Sequence, residues 1–226
     1  MAERKWMYVL RGGGESYAAW SEQMKRVAVE ALGLGPSKLQ LTVTEATPPK
    51  VNLFPFKAQP IAIFNVYDQV DAPTRFTNLF RGAASSVSGY AVEEAYPVAY
   101  EKSWPDGEPT PSPILLTMLR KKEGVSTDEF IDRWHNGHTP LSLEIHPLWY
   151  YKRNVIVEPV TEGADPSDGI VLEACRTGSD LLNPTRFFGG ALKMVPNMLR
   201  VAMDINGFLD MKKTETFYAT EYHLRS

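Results

Sequence analysis

Cysteine is nearly absent. Cys175 stands alone in a chain of 226 residues, which excludes an internal disulfide and any metal site built from thiolates. It lies inside an apolar run, where a thiol is expected to be buried and unreactive. Long hydrophobic stretches are missing too. Nothing approaches the ~18 continuous apolar residues of a membrane-spanning helix, so no membrane partner is expected. The opening segment MAERKWMYVLRGGG has no apolar leader core, and a cytoplasmic location is the expectation. There is no basic excess either. Lys and Arg number 24 against 27 Asp and Glu, a net charge of −3, and no Lys/Arg run builds a nucleic-acid surface. Gly12-Gly13-Gly14 precedes a helical stretch but lacks the P-loop Lys-Ser/Thr and the dinucleotide spacing, so it reads as a turn. No serine sits in a nucleophile elbow.

What remains is an ordinary globular composition, 43% hydrophobic and 23% charged, with 5 Trp, 10 Tyr and 10 Phe. A chain of this length buries roughly 70–75% of its unfolded surface and needs no staples. The apolar pattern predicts a strand at 5–11, closed by three glycines, then a helix over 15–33 with Tyr17, Trp20, Met24, Val27 and Ala31 near one face. Strands follow at Lys38–Ala46 and Ile61–Asp68, with a Pro-rich loop Thr47–Pro60 between them. A helix at Pro73–Ala84 and an extended segment Val87–Ser103 complete this half. Three prolines in Pro109–Pro113 read as a linker. The series then restarts: strand Ile114–Arg120, helix Ser126–Trp134, strands Trp149–Val157 and Ile170–Arg176, partial helix over 180–209, strand Thr214–Leu224. The Ser126-Thr127-Asp128-Glu129 start supplies a helix cap and first-turn acids.

Local identities suggest duplication. Pro73-Thr74-Arg75-Phe76 recurs as Pro184-Thr185-Arg186-Phe187, and Leu10-Arg11 has a counterpart in Leu119-Arg120. The expected fold is α+β: two fused ferredoxin-like βαββαβ repeats, 1–107 and 113–226, whose sheets close into a barrel with helices outside.

The segment Ile114–Val157 carries a more specific pattern. Arg120, Lys121, Gly124, Ser126, Glu129-Phe130, Trp134, His138 and Pro140-Leu141 stand in order along a strand and a capped helix. Over about 45 residues this resembles the EthD-like family of the dimeric α+β barrel superfamily; the first half lacks the histidine motif. The resemblance implies the barrel fold and a cleft between sheet and helices that takes an aromatic or polycyclic ligand. Relatives of that kind include cyclases, isomerases, dehydratases and oxygenases, so fold alone does not choose a reaction.

All four histidines, His135, His138, His146 and His223, lie in the second half, and imidazole is the natural proton carrier near neutral pH. His135 and His138 sit where the first helix of that half is expected to end, at Asn136-Gly137, and three apart they share a side if the helix continues. His138 is also the histidine of the family pattern. On the last strand, alternation puts Tyr218, Thr220 and Tyr222 on one face and Glu221 and His223 on the other. The candidate catalytic residues are therefore His138, His135, His223 and Tyr222. Arg120 and Arg11 end equivalent strands and could hold a carboxylate or phenolate; Trp134, Tyr150 and Tyr218 complete the expected substrate contacts. His135, His138 and His146 offer three nitrogens in twelve residues, but they lack the i, i+4 pair of zinc hydrolases and Pro140 intervenes, so no metal is expected. The leading expectation is cofactor-independent acid/base chemistry, of lyase, dehydratase, cyclase or isomerase type, on a small aromatic or polyketide-like molecule. The alternatives are a cofactor-free or haem-dependent oxygenase and a non-catalytic ligand-binding protein. Exposed helices would allow a homodimer, which a duplicated chain does not need.

Overall fold

Strands that are apolar at every position, rather than at alternate ones, require cover on both faces. The first strand, β1 (Arg4–Arg11), is of this kind: Trp6, Tyr8 and Leu10 pack under helices, while Met7 and Val9 point into a barrel. The structure, a computed structural model, describes residues 4–50, 54–68 and 72–226. Part of the Pro-rich loop expected at 47–60, residues 51–53, lies outside them.

The elements run β1, α1 (Tyr17–Gly33), β2 (Lys38–Val43), β3 (Ile61–Asp68), α2 (Ala72–Arg81) and β4 (Ser86–Val98) in the first half. The second half has β5 (Ile114–Leu119), α3 (Thr127–Asp132), α4 (Thr139–Ile145), β6 (Leu148–Pro159) and β7 (Gly169–Cys175). It ends with α5 (Gly178–Leu182), α6 (Pro184–Phe187), α7 (Met194–Phe208) and β8 (Glu215–Arg225). The eight strands close into one barrel in the order β1-β3-β2-β8-β5-β7-β6-β4, every neighbouring pair antiparallel. Within each half the strand order is the same, β4-β1-β3-β2 and β8-β5-β7-β6. The halves meet at two seams, β2 with β8 and β4 with β6.

An eight-stranded barrel is just wide enough for side chains to fill it. Met7, Val9, Ile63, Leu116, Ile170 and Phe217 do so here. Outside, the two halves differ. Trp20, Met24, Phe76 and Phe80 fill the space between the first-half sheet and its helices, with the Phe80 ring stacked 4.6 Å from Phe64. In the second half the helices leave an open cleft.

The helix that opens at Ser126 does not end at Asn136-Gly137. It continues through a π-helical turn, Arg133–His138, into α4, so the three pieces form one helix ending at Ile145. Pro140 follows directly on this wider turn, where the α-helical ladder is already interrupted: the Thr139 N–H bonds to the Trp134 carbonyl, five residues back. Among the described residues no helix is long and apolar enough to cross a membrane.

Candidate active site

The cleft lies between the outer face of the second-half sheet and the helices above it, and encloses about 290 Å³. Its floor comes from alternate residues of neighbouring strands: Leu115 and Thr117, Val171 and Glu173, Thr216, and Tyr151. Its walls are Trp134, His138, Ser142 and His146 on one side and Met198, Ile205 and Phe208 of α7 on the other. Phe187 and Phe188 close one end.

Two local features set this geometry. Ser126 caps α3, its hydroxyl accepting from the Glu129 N–H at 3.1 Å, and fixes where the helix starts. The π-helical turn then inserts one extra residue into the turn, a distortion found often at functional sites. Trp134 is seated by Gly169: a Cβ there would stand 2.6 Å from the indole ring. The indole N–H donates to the Tyr151 hydroxyl at 3.3 Å.

The polar groups are few. His138 Nδ1 lies 2.7 Å from Asp204 Oδ2 on α7, so the ring donates to that carboxylate. A neutral ring then has its lone pair on Nε2, 3.2 Å from the Ser142 hydroxyl, which donates to it. Ser142, His138 and Asp204 follow the order of a hydrolytic triad. However, Ser142 lies within a continuous helix whose N–H groups are committed to helical bonds, leaving no oxyanion pocket beside it.

His146 donates from Nδ1 to the Phe187 carbonyl at 2.9 Å and stacks on the Phe187 ring. Burial pushes its pKa down to about 4, so at neutral pH it is uncharged and its Nε2 is a free acceptor. Glu173 is the most unusual group. It is half-buried on the cleft floor and has no hydrogen-bond or ion-pair partner among the described residues. Loss of water raises its pKa from 4.5 to about 7, opposed by the charge of His138.

Of the residues singled out from sequence, His138 and Trp134 line this cleft. His135 does not. The π-helical turn breaks the i, i+3 alignment with His138, and its buried Nε2 has no partner; burial and Arg153 lower its pKa. The two faces of β8 serve different spaces. His223 and Tyr150 line a cavity at one end of the barrel, while Tyr222 lies under the first-half helices and donates to Glu45 at 2.8 Å. Tyr218 packs edge-on against Phe56, 5.8 Å between ring centres. Arg120 pairs with Asp168 at 3.3 Å. Arg11, at the same end of the barrel, pairs with Asp165 at 3.1 Å and Glu215 at 2.5 Å. Among the described residues, no three His, Cys, Asp or Glu side chains converge on a metal-sized site.

Glu173, Asp204 and His146 were not among the residues chosen from sequence. A signal existed for Glu173: it is the single charge in the apolar strand IVLEAC, on the same face as Val171 and Cys175. Asp204 gave none, because an acid on an exposed helix looks the same whether or not it meets a histidine.

No protein-family model matches the sequence, and no curated protein matches it. Solved structures do match. An anthrone oxidase-like protein aligns over 99% of this chain and 94% of its own, with a TM-score of 0.56 and 8% identity. A candidate monooxygenase from Fusobacterium nucleatum aligns over 98% and 92%, with a TM-score of 0.55 and 9% identity. Another, from Lactobacillus acidophilus, aligns over 99% and 97%, with a TM-score of 0.50 and 6% identity. At such identities the likeness establishes the fold, an α+β barrel spanning the whole chain.

Proposed function

We propose that the chain is an enzyme whose active site is the second-half cleft, and that it moves a proton on a small aromatic substrate. Glu173 carries this reading. An unpaired carboxyl that titrates near neutral pH, on the floor of an aromatic cleft and under a His–Asp pair, is poised as a general base. A purely structural carboxyl would have a partner, and an apolar side chain would pack there at lower cost.

Glu173 takes a proton from an acidic C–H or O–H of the substrate. His138, oriented by its bond to Asp204, donates to the oxygen that gains negative charge once its Nε2 carries a proton, a contribution of ~2–4 kcal/mol in an enclosed site. Return of the proton at a different atom completes an isomerisation, cyclisation or elimination. Trp134, Phe187 and Phe208 hold the ring, and His146 accepts from a substrate hydroxyl. The EthD-like resemblance of Ile114–Val157, centred on His138, supports the same site. The repeated element and strand orders support tandem ferredoxin-like repeats, of which the later copy kept the proton-handling groups.

A second reading has its own support in the names of the structural neighbours, an oxidase-like protein and candidate monooxygenases. There the same proton removal is followed by reaction of the carbanion with dioxygen as co-substrate. Incubation with anthrone in D2O, under argon and in air, tests both. Deuterium exchange at the activated carbon, lost in Glu173→Gln and His138→Ala, supports the site; oxygen uptake selects the second reading. Wild-type exchange rates in both variants would refute the assignment.

A further inference from the structure

At the Lys5 end the barrel is floored by charge instead of apolar side chains. Gln40, His223, Tyr100, Glu221 and Lys152 form a closed hydrogen-bonded ring. Gln40 Nε2 lies 3.2 Å from His223 Nδ1, and His223 Nε2 lies 2.6 Å from the Tyr100 hydroxyl. That hydroxyl is 3.1 Å from Glu221 Oε2. Lys152 Nζ closes the ring, 3.0 Å from Glu221 and 2.9 Å from the Gln40 carbonyl. One tautomer satisfies every member: Gln40 donates to Nδ1, the Nε2–H donates to the Tyr100 oxygen, and Tyr100 donates to Glu221. Beside the ring, Lys5 pairs with Glu94 at 2.7 Å.

Over this floor lies a cavity of about 420 Å³, walled by Tyr67, Tyr96, Tyr100 and Tyr150. Its donors are almost all spent. Tyr67 and Tyr96 donate to Glu94, and Tyr100 and Tyr150 donate to Glu221. Lys102 on the rim is paired with Asp106 at 2.7 Å. Lys38 is the exception. It lines the same cavity, its ammonium stands 5.2 Å from the centre of the Tyr67 ring, and no carboxylate pairs with it among the described residues. Nearby, the buried indole N–H of Trp104 also has no partner, and its ring packs on Tyr100 and His223.

We propose that this barrel mouth is a second ligand site, independent of the cleft, and that it takes a small aromatic monocarboxylate. The ring packs among the tyrosines and the carboxylate meets Lys38. A neutral aromatic would leave that cation unanswered, and a second negative charge would face Glu94. The cleft is a poor competitor for such a ligand, because Glu173 repels an anion.

The test is titration of the whole chain with 1-naphthoate, by calorimetry and by tryptophan fluorescence, since Trp104 and Trp149 stand 5.1 and 4.8 Å from the Tyr100 ring. Saturable one-site binding is expected, at least tenfold weaker in Lys38→Met and for neutral 1-naphthalenemethanol, and unchanged in His138→Ala, which removes the imidazole of the cleft. Absence of saturation, wild-type affinity in Lys38→Met, or weakened binding in His138→Ala would overturn the proposal. The last result would place the ligand in the cleft.

Discussion

Replacing Glu173 by glutamine should make the protein more stable and less active, with the stability gain dependent on pH. The folded state raises this carboxyl from 4.5 to about 7, so the folded protein holds the proton more tightly than the unfolded chain. The stability linked to that proton is fully present below pH 4.5 and is lost as pH climbs to about 7. At ~1.4 kcal/mol per pH unit the full loss is about 3 kcal/mol. Glu173 keeps some contact with solvent, so about 2–3 kcal/mol is the working figure. Glutamine has the same shape and does not ionise. Urea unfolding should therefore show Glu173→Gln more stable than the parent by about 2–3 kcal/mol at pH 8 and by less than about 1 kcal/mol at pH 5. In the parent protein, kcat/KM for the proposed reaction should rise with pH through about 7, and this limb should vanish in the variant. A stability difference that stays constant from pH 5 to pH 8 would refute the reasoning, since it would mean that Glu173 titrates alike in both states.

His138→Ala should lower turnover by roughly 10²–10⁴ with an unchanged far-UV spectrum, and Asp204→Asn should reproduce part of the loss; steady-state kinetics checks both. Gly169→Ala forces a methyl group into the Trp134 ring and should cost about 1–3 kcal/mol, read as a lower urea midpoint and a shifted tryptophan emission. Lys152→Met strands the fully buried Glu221 carboxylate and should cost about 3–5 kcal/mol. The double variant Lys152→Met/Glu221→Met should recover most of that, as thermal melts will report. Burial pushes the Cys175 thiol up to about 12, so it should resist a thiol reagent at pH 8 until the chain is unfolded.

The element order was readable because most strands are apolar on both faces and the first helix of each half begins at a polar cap. Ser16 and Ser126 cap the helices the pattern predicts, and Gly35 follows α1 with φ +75°. The repeated Pro-Thr-Arg-Phe segment falls at α2 and at α6, as its spacing suggests. Less legible was anything that depends on closure. Apolar alternation does not say which face of β8 turns inward, because both faces end up covered. The π-helical turn carries no composition signal; Asn136-Gly137 reads as a stop, while packing of Trp134 on Gly169 and the bonds of His138 to Asp204 and of Thr139 to the Trp134 carbonyl help hold the helix together there. The barrel-end network was hidden for a similar reason. Lys152 and Glu221 look like solvated charges until the barrel brings their strands together.

The two seams of the barrel have a consequence for how the chain folds. Gln40 and His223 touch across 183 positions of sequence, and neither half satisfies its outer strands alone. Until β8 reaches β2, and β6 reaches β4, each half carries two raw edges whose free amides invite strangers. Closure is thus a late search over a long loop, slow by the ordinary scaling of rate with contact separation. The interval before it, more than the finished molecule, is where this protein is open to misassembly with its own kind.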